Sequence, residues 1–372
     1  MQSLSNKEYF FETTASIEES KRKAAKAKNN NGNPIRLKSK ILAIAADPCG
    51  QDAVYVAESA GTVRKVVLET GESAAVFRGP TAPVTSVAFS PDGKIVFAGC
   101  WDKTVWSWDV QSKRPLRRYE GHTDFVKSVI TARVAGQDIL VSGSADATIA
   151  VYSIATGERL HVFKEEMRGI QDLCIDPWSL ENPSRMVLFS SGSDREIRQF
   201  PYPATDAFET AQPILAHETS VFKIYFDNDG DLWTASADKT AKCLVRENGW
   251  KANLTLEHPD FVRDVVVHDQ GGWVVTACRD EEVRVWNKAT GELYHVFSGH
   301  VEEVTGLLLI GHLLVSVSID ATIRKWSLRP ADLQRAREEA QNKGAEDEEQ
   351  KQAPMLTEEE ERELAELLEE DD

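Results

Sequence analysis

One stretch near the end of the chain decides the fold. Residues 299–326 read GHVEEVTGLLLIGHLLVSVSIDATIRKW, in which His300 precedes an apolar run, Ser316 follows it, and Asp320 stands six residues before Trp326. Short apolar segments divided by polar turns are typical of β-strands. The stretch therefore predicts strands that carry an imidazole, a hydroxyl, a carboxylate and an indole at fixed offsets.

The same arrangement recurs along the chain. In each clear copy an aspartate stands six residues before the residue that ends a strand, and successive aspartates are 40 to 48 residues apart. The six aspartates are Asp102, Asp146, Asp194, Asp238, Asp280 and Asp320. Four copies are preceded by a histidine, namely His122, His217, His258 and His300. A seventh copy is degenerate, because Ala60 occupies its aspartate position. A repeat of this period indicates one supersecondary unit per copy.

These repeated residues resemble the WD-repeat family, a group of eukaryotic-type scaffold and adaptor proteins. The resemblance implies an all-β fold, a seven-bladed WD-repeat β-propeller with four strands in each blade. It divides the chain into a basic, partly helical extension over 1–33, the propeller over 34–329 and an acidic tail over 330–372. As in the family, we expect the short strand at 34–37 to complete the last blade and close the ring. Deletion of residues 1–30 alone should therefore be tolerated by the fold.

A buried hydrogen-bond network explains why these residue types recur together. An aspartate can accept the N–H groups of a tight turn, and a histidine and a hydroxyl can connect it to an indole, so that every buried polar group has a partner. Two sets are complete in the sequence: His258, Thr276, Asp280 and Trp286, and His300, Ser316, Asp320 and Trp326. A catalytic Ser-His-Asp triad uses the same residue types but would occur once in a chain. We therefore predict a structural role, with no enzymatic activity, catalytic residue, metal site or cofactor.

The resemblance also implies which residues face a partner. Two positions in each blade reach the top face in this family. The position after the first apolar residue of the inner strand holds Leu42, Thr85, Lys127, Gln171, Phe222, Arg263 and Thr305. The position before the aspartate holds Ser59, Trp101, Ala145, Ser193, Ala237, Arg279 and Ile319. With two phenylalanines that precede strand valines, the candidate protein-binding residues are Trp101, Phe125, Lys127, Phe222, Phe261, Arg263 and Arg279. Aromatic residues with arginine are typical of binding hot spots, and here they favour an apolar, acidic peptide.

Charge and composition exclude several classes of protein. The net charge is -17, of which residues 1–37 contribute +3, residues 331–372 contribute -12 and the segment between them contributes -8. A negative body argues against direct binding of nucleic acid. The sequence shows no membrane span and no signal peptide. Five cysteines without a C-x-x-C pair indicate a reducing compartment. We expect a monomeric propeller in the cytoplasm, the nucleus or both.

Both tails carry their own patterns. The basic run at 21–28 is compatible with a nuclear import signal, a phosphate contact or a solvated linker, of which we favour the linker. It follows a capping box formed by Ser16 and Glu19. At the other end we predict a helix over 330–342, an acidic linker over 344–354 and a helix at about 356–370. Leu364, Leu367 and Leu368 share one face of that last helix. It is either a spacer or a motif that binds a partner or the propeller itself.

These features favour an adaptor that holds proteins in a multi-subunit complex. One alternative is a substrate receptor of a cullin-type ubiquitin ligase, because Trp326-Ser327-Leu328-Arg329 approaches the Trp-Asp-x-Arg pattern of such receptors. Another is a carrier for a basic client, such as a ribosomal protein or a histone, that uses the acidic tail. The sequence names neither the partner nor the pathway, since fold alone does not specify function.

Overall fold

The computed structural model describes residues 21–24, 26, 28–164, 168–203 and 212–352, with the backbone alone over 343–352. The chain divides into two compact units, residues 1–328 and 329–372. The capping box at Ser16 and Glu19 and the tail motif Leu364, Leu367 and Leu368 lie outside the described residues.

The first unit contains seven four-stranded antiparallel sheets, which confirms the seven-bladed propeller. The first four blades follow one another along the chain. Blade one comprises β2 (Ile41–Ala46), β3 (Ala53–Glu58), β4 (Thr62–Val67) and β5 (Ser73–Phe77). Blade two comprises β6 (Val84–Phe89), β7 (Ile95–Cys100), β8 (Val105–Asp109) and β9 (Pro115–Tyr119). Blade three comprises β10 (Val126–Val134), β11 (Gln137–Ser144), β12 (Ile149–Ser153) and β13 (Arg159–Phe163). Blade four comprises β14 (Ile170–Ile175), β15 (Met186–Gly192), β16 (Glu196–Tyr202) and β17 (Ile214–Leu215).

The remaining three blades complete the ring. Blade five comprises β18 (Val221–Phe226), β19 (Leu232–Ser236), β20 (Thr240–Val245) and β21 (Lys251–Glu257). Blade six comprises β22 (Val262–His268), β23 (Trp273–Cys278), β24 (Glu282–Asn287) and β25 (Leu293–Ser298). Blade seven comprises β26 (Val304–Ile310), β27 (Leu313–Ser318), β28 (Thr322–Ser327) and β1 (Ile35–Arg36). Two 3₁₀ turns, Pro177–Glu181 and Asp269–Gly271, follow inner strands of blades four and six.

The ring is held together by its inner strands and by apolar layers between blades. The first strand of each blade contacts the first strands of both neighbours, and β26 contacts β2, so the circle is closed. Apolar side chains of adjacent blades pack face to face; Phe77 of blade one, for example, lies edge-on to Trp108 of blade two. Closure leaves every sheet flanked by two others, which buries both of its faces.

The N-terminal strand completes blade seven, as the sequence predicted. β1 pairs antiparallel with β28, with Ile35 opposite Ile323 and Arg36 opposite Thr322. The N–H of Leu37 extends the pairing by donating to the carbonyl of Ala321. The last blade therefore takes strands from both ends of the propeller, and this joins the first and last segments of the ring.

The basic run before β1 is not a solvated linker, and that expectation was wrong. Residues 21–24 and 26 are helical, and they place Arg22 and Lys26 against blade six. Arg22 lies 2.8 Å from Glu281, and Lys26 lies 2.9 Å from Glu281 and 2.6 Å from Glu282. Glu281 is almost fully buried beneath these cations. The chain thus uses its basic run to neutralise acidic residues on its own surface.

The second unit is described as one helix, α1, over Pro330–Gln352. Pro330 opens it, as expected for a residue that needs no N–H bond at a helix start. The linker predicted from Gly344 is wrong over 344–352, because the helix continues through it. Ala, Glu, Lys and Gln have high helix propensity, and a single glycine costs only about 1 kcal/mol.

Candidate protein-binding face

A β-bulge at the start of every inner strand positions the candidate residues. In blade three the pairing between β10 and β11 skips from Val126 to Ser128, so that Lys127 is bulged out of the ladder. The same shift isolates Phe222 in blade five and Arg263 in blade six. Bulges leave one residue unpaired and redirect its side chain. Each blade therefore turns one residue, at the position inferred from the family, away from its ladder.

The bulged residues surround a single opening at the centre of the ring. A cavity of about 530 Å³ lies there. All seven members of the first inferred set line it: Leu42, Thr85, Lys127, Gln171, Phe222, Arg263 and Thr305. Trp101, from the second set, lines it as well. The seven positions thus form the mouth of the central channel.

Three candidates form one aromatic group at this mouth, which we call the Trp101 group (Trp101, Phe125 and Lys127). The rings of Trp101 and Phe125 are stacked, with centroids 4.8 Å apart and an interplanar angle of 14°. The ammonium of Lys127 lies 5.5 Å from the centroid of Trp101. Trp101 keeps 38% of its surface exposed, which is high for an indole on a folded domain.

The other four candidates form a second group, the Phe222 group (Phe222, Phe261, Arg263 and Arg279). The two phenylalanine rings lie 6.3 Å apart, and each carries a guanidinium above it. Arg263 stands 4.3 Å from the centroid of Phe222, and Arg279 stands 5.1 Å from that of Phe261. Arg263 also binds Glu303 at 2.6 Å. All seven candidates are therefore brought together in two groups of aromatic and cationic side chains.

Lys127 is the electrostatically distinctive residue of the mouth. Burial lowers its pKa, and the nearby Arg263 lowers it further, while Asp124 acts in the opposite sense. Within the described part of the chain, no carboxylate lies within ion-pair distance of its ammonium. A cation that is crowded by another cation gains most from an incoming anion. The mouth therefore favours an acidic group between Lys127 and Arg263.

Below the mouth lies a ring of inter-blade hydrogen bonds that the sequence reading missed. In four blades the residue after the bulge reaches the next blade: Ser86 accepts from the N–H of Val129, and Ser128 accepts from that of Leu173. Asp172 and Asp264 do the same toward Ile224 and Leu307. The signal was present as Ser or Asp two residues after a strand valine or isoleucine.

In blade five Lys223 replaces this acceptor. With Asp172 and Asp264 it forms a charged layer below the mouth, which we call the floor. Lys223 lies 3.1 Å from Asp172. Burial disfavours its charge, but Asp172 and Asp264 outweigh that effect and raise the pKa of Lys223. Burial raises the pKa of Asp264 to about 6, although Lys223 opposes the shift. The floor thus alternates carboxylate, ammonium and carboxylate over three blades.

The four-residue set of blade seven, His300, Ser316, Asp320 and Trp326, forms as predicted, and we call such a set a tetrad. His300 Nδ1 lies 3.1 Å from Asp320, its Nε2 lies 2.8 Å from Ser316, and the indole of Trp326 donates to Ser316 at 2.9 Å. Thr322 adds two hydrogen bonds to Asp320. Burial alone would raise the pKa of Asp320, but the bonds from His300 and Thr322 lower it to about 2.

The tetrad of blade six does not form completely, which corrects the prediction of a full set. His258 still binds Thr276 at 2.7 Å, and Trp286 donates to Thr276. The Nδ1 of His258, however, contacts the carbonyl of Leu256, and Asp280 instead pairs with Arg284. The physical reason is that Glu282 stands where blade seven has the hydroxyl of Thr322, so the arginine takes the carboxylate.

Blade one replaces its missing aspartate with a glutamate. Glu58 is fully buried; it accepts a hydrogen bond from Thr62 and is bound by Arg64 at 3.0 Å through each of two nitrogens. Gly61 occupies the left-handed turn position, with a φ of 79°. The carboxylate of the network has therefore moved two residues earlier, which sequence spacing alone did not reveal.

The arrangement offers little for catalysis or metal binding. Ser316, the hydroxyl of the complete set, is fully buried and already bound on both sides, so no substrate could reach it. Asp227, Asp229 and Asp269 converge closely enough to hold a cation, but the ammonium of Lys288 lies 2.6 to 3.0 Å from all three and occupies the point where they converge. Burial raises the pKa of the Cys100, Cys243 and Cys278 thiols to about 12, which makes them unreactive.

Comparison with known proteins places this architecture in a family. The WD domain, G-beta repeat family matches residues 71–109, 113–153, 250–287 and 291–327. No helix among the described residues is long and apolar enough to cross a membrane. A WD repeat-containing protein of Schizosaccharomyces pombe is 33% identical over 338 residues, which cover 87% of this chain and 89% of that protein.

More distant relatives match this chain over a smaller part of their own length. Human striatin is 26% identical over 68% of this chain, and the match spans 29% of striatin. The tRNA (guanine-N(7)-)-methyltransferase non-catalytic subunit wdr4 of Danio rerio is 23% identical over 68% of this chain and 58% of that subunit. Propellers of this kind are generally protein-interaction scaffolds without catalytic activity. With its seven blades and a relative that is 33% identical over 89% of that protein's length, the chain belongs to the WD-repeat family.

Proposed function

We propose that this chain is a non-catalytic adaptor that binds an apolar, acidic segment of a partner protein at the mouth of the propeller channel. The observation that carries the proposal is that one opening is lined by Trp101 and Lys127 of the first group and by Phe222 and Arg263 of the second. Clustered aromatic and arginine side chains dominate the binding energy of many interfaces. Lys127, for which the described residues provide no ion-pair partner, supplies the preference for an acidic side chain.

A second recruiting element is the acidic, leucine-bearing segment at 356–370. Its leucines Leu364, Leu367 and Leu368 are spaced for one helical face, which suits a hydrophobic groove on another protein. Two separate binding elements would let the chain bridge two proteins within a complex. The relatives support this role in general terms, since one of them is named as the non-catalytic subunit of an enzyme. We propose that the protein acts as a monomeric propeller in the cytoplasm or nucleus, without binding nucleic acid directly.

Affinity purification with matched variants tests this proposal. Lys127→Glu with Phe222→Ala should remove one set of co-purifying proteins, because the double change reverses the charge of the mouth and removes an aromatic anchor. Lys94→Glu is the matched control, since it makes the same charge change at a lysine whose side chain is 79% exposed and which does not line the cavity. A chain that ends at Arg329 should lose a different set.

The identity of the lost proteins separates the alternatives. Other subunits of a stable complex support the adaptor. Cullin-ligase components favour the substrate receptor, and histones or ribosomal proteins lost with the tail favour the carrier of a basic client. If the double variant and the truncated chain both retain every partner of the intact protein, the proposed adaptor function is wrong.

A further inference from the structure

The connection between the first two strands of blade four differs from its counterparts in the other blades. It runs from Asp176 to Arg185, ten residues between β14 and β15, whereas the other blades use two to six. We call this connection the blade-four loop. It contains the 3₁₀ turn Pro177–Glu181, which exposes 48% of Trp178 and 46% of Leu180. Such an insertion, with a half-exposed tryptophan two residues before a half-exposed leucine, requires a physical explanation.

The blade-four loop is fixed by an arginine of the next blade. Arg246 binds both carboxylate oxygens of Asp176, at 2.9 and 2.6 Å. Its guanidinium lies between two indoles, 4.4 Å from the centroid of Trp178 and 4.7 Å from that of Trp250. Arg246 is therefore neutralised and stacked, and one face of Trp178 is held against it.

Further contacts fix both ends of the loop. Gly230 of blade five lies so close to Trp178 that a Cβ there would stand 2.7 Å from the indole. On the other side, the N–H of Ala135 in blade three donates to the carbonyl of Pro183 at 2.6 Å. The loop is thus anchored to both neighbouring blades. Trp178 and Leu180 are held in place in advance, which lowers the entropy cost of binding.

The surroundings of these two side chains are acidic. Glu181 belongs to the same turn, Glu247 follows Arg246, and Asp229 precedes the glycine that touches Trp178; all three are exposed. Asp229 keeps 73% of its side chain in solvent although Lys288 binds it. Arg246 is already paired with Asp176, and the three exposed carboxylates outnumber the two other cations of these segments, Arg185 of the loop and Lys288, which binds Asp229. Such a surface attracts a cation and repels an acidic segment.

We propose that the blade-four loop is a second docking surface, and that its occupant is a segment of a partner protein that carries an apolar side chain beside a lysine or arginine. The apolar side chain packs on Leu180 and the open part of the Trp178 ring, and the cation lies toward Asp229 and Glu181. The loop follows the last residue of β14, whereas Gln171 at the start of β14 lines the channel mouth. The two surfaces therefore lie at opposite ends of the same strand and select partners of opposite charge.

A peptide screen on the full chain tests this assignment. The probes are two libraries of short synthetic peptides, one that combines Leu and Phe with Lys and Arg and one in which Glu and Asp replace the basic residues. Fluorescence anisotropy should find binders in the basic library. Trp178→Ala with Leu180→Ala should weaken them about tenfold or more, as hot-spot truncation does. Asp229→Asn should weaken them less.

Three variants provide the controls. Leu293→Ala removes an equally exposed leucine, at 46%, and should not change binding. Trp101→Ala should also leave the basic peptides bound, because it alters the channel mouth only. Leu180→Ala alone keeps the stacking of Trp178 on Arg246, so it should weaken binding without lowering the melting temperature, which separates lost contacts from a disturbed fold.

Several outcomes would overturn the proposal. It is wrong if neither library yields a binder, if the acidic library binds more tightly, or if the basic binders survive the double substitution unchanged. Sedimentation analysis adds one more test: a dimer of the wild-type chain that Leu180→Ala dissociates would show that a second copy occupies the surface. None of these results bears on the channel mouth, so the proposed adaptor function stands or falls separately.

Discussion

Blades six and seven carry a histidine, a hydroxyl residue, an aspartate and a tryptophan in the same order, with equal spacing from the hydroxyl residue onward, and yet only blade seven builds the complete network. In blade seven His300 binds Asp320, whereas in blade six Asp280 binds Arg284 and His258 turns to a backbone carbonyl. Both blades have an arginine four residues after the aspartate, Arg284 and Arg324. The choice of partner by each carboxylate therefore depends on what else is within reach of that arginine.

The N-terminal segment adds to the effect of Glu282, which stands in blade six where blade seven has Thr322. Arg324 donates to the side chain of Asn29 at 3.0 Å and to the carbonyl of Asn31, so it is drawn away from Asp320. The freed carboxylate then takes His300 and Thr322. In blade six the same segment binds glutamates instead, and Arg284 remains with its aspartate. A local motif therefore has two outcomes, and a segment more than 250 residues away in sequence contributes to the choice between them.

The largest effect should come from Asp320→Ala. The side chain of Asp320 is only 1% exposed, and it accepts hydrogen bonds from His300, from the N–H of Val301 and from Thr322. Its removal leaves all of these donors without their acceptor, so we expect a loss of about 2–4 kcal/mol in the free energy of unfolding. Chemical denaturation measures it.

Asp102→Ala is the internal reference for that measurement. Asp102 binds Thr104 and the indole of Trp106, but blade two has no histidine before its inner strand, so its network contains fewer buried partners. It should lose less stability than Asp320→Ala. Equal losses in the two variants would contradict the idea that the histidine-linked network carries the extra stability.

A double-mutant cycle should then distinguish the two arginines. Asp280→Ala leaves Arg284 charged and only 8% exposed, and Arg284→Met should recover part of the loss. We expect a coupling of about 1–3 kcal/mol for Asp280 with Arg284 and less than about 0.5 kcal/mol for Asp320 with Arg324. Similar coupling energies in the two blades would mean that both aspartates form an ion pair with the arginine of their own blade in solution.

The sequence carried the fold because its signals are repeated. An aspartate six residues before the end of a strand, in several copies preceded by a histidine, predicted seven blades, and the short strand before Ile41 predicted closure. The mouth could be predicted as well, since its residues occupy one position relative to each strand valine or isoleucine. Sequence spacing failed where a distant segment or a shifted residue changed a partner, as with Glu58 in blade one and Arg324 in blade seven.

The blade-four loop is a second example of a feature that sequence spacing predicts only in part. Its extra length was visible as the step of 48 residues between Asp146 and Asp194, the longest of the series. Nothing in that number indicated that Arg246, in the next blade, would hold Trp178 half exposed. Spacing reveals where a repeat departs from its neighbours, but the contacts that give an insertion its shape come from elsewhere in the ring.

A smaller effect should follow from Arg22→Ala with Lys26→Ala. The two cations cover Glu281, which is 6% exposed, so their removal leaves a buried carboxylate without a partner. Since Arg22 itself is 53% exposed, we expect a loss of only about 1 kcal/mol in the free energy of unfolding.

Lys23→Ala is the matched control for this pair of substitutions. Lys23 binds Glu302, and both side chains are substantially exposed, so it should lose a few tenths of a kcal/mol at most. If the double variant is as stable as Lys23→Ala, the N-terminal helix does not hold blade six in solution.

The smallest effect is a difference in pH dependence between the two histidines. Burial and the charge of Arg284 lower the pKa of His258 to about 4, below its ordinary value near 6.5. The unfolded chain therefore binds a proton at this residue before the folded chain does, and stability falls as the pH drops from about 6.5 toward 4. At pH 6 this amounts to about 1 kcal/mol relative to pH 8. Burial also lowers the pKa of His300, but Asp320 favours its charged form and opposes the shift.

His258→Gln should therefore reduce the loss of stability between pH 8 and pH 6 by more than His300→Gln does. The other titrating groups are shared by the two variants, so the comparison isolates the two imidazoles. Denaturation curves at both pH values give the four free energies required. If His300→Gln removes the larger share, the imidazole of blade seven is the one that resists protonation, and the carboxylate beside it does not stabilise its charge as the geometry indicates.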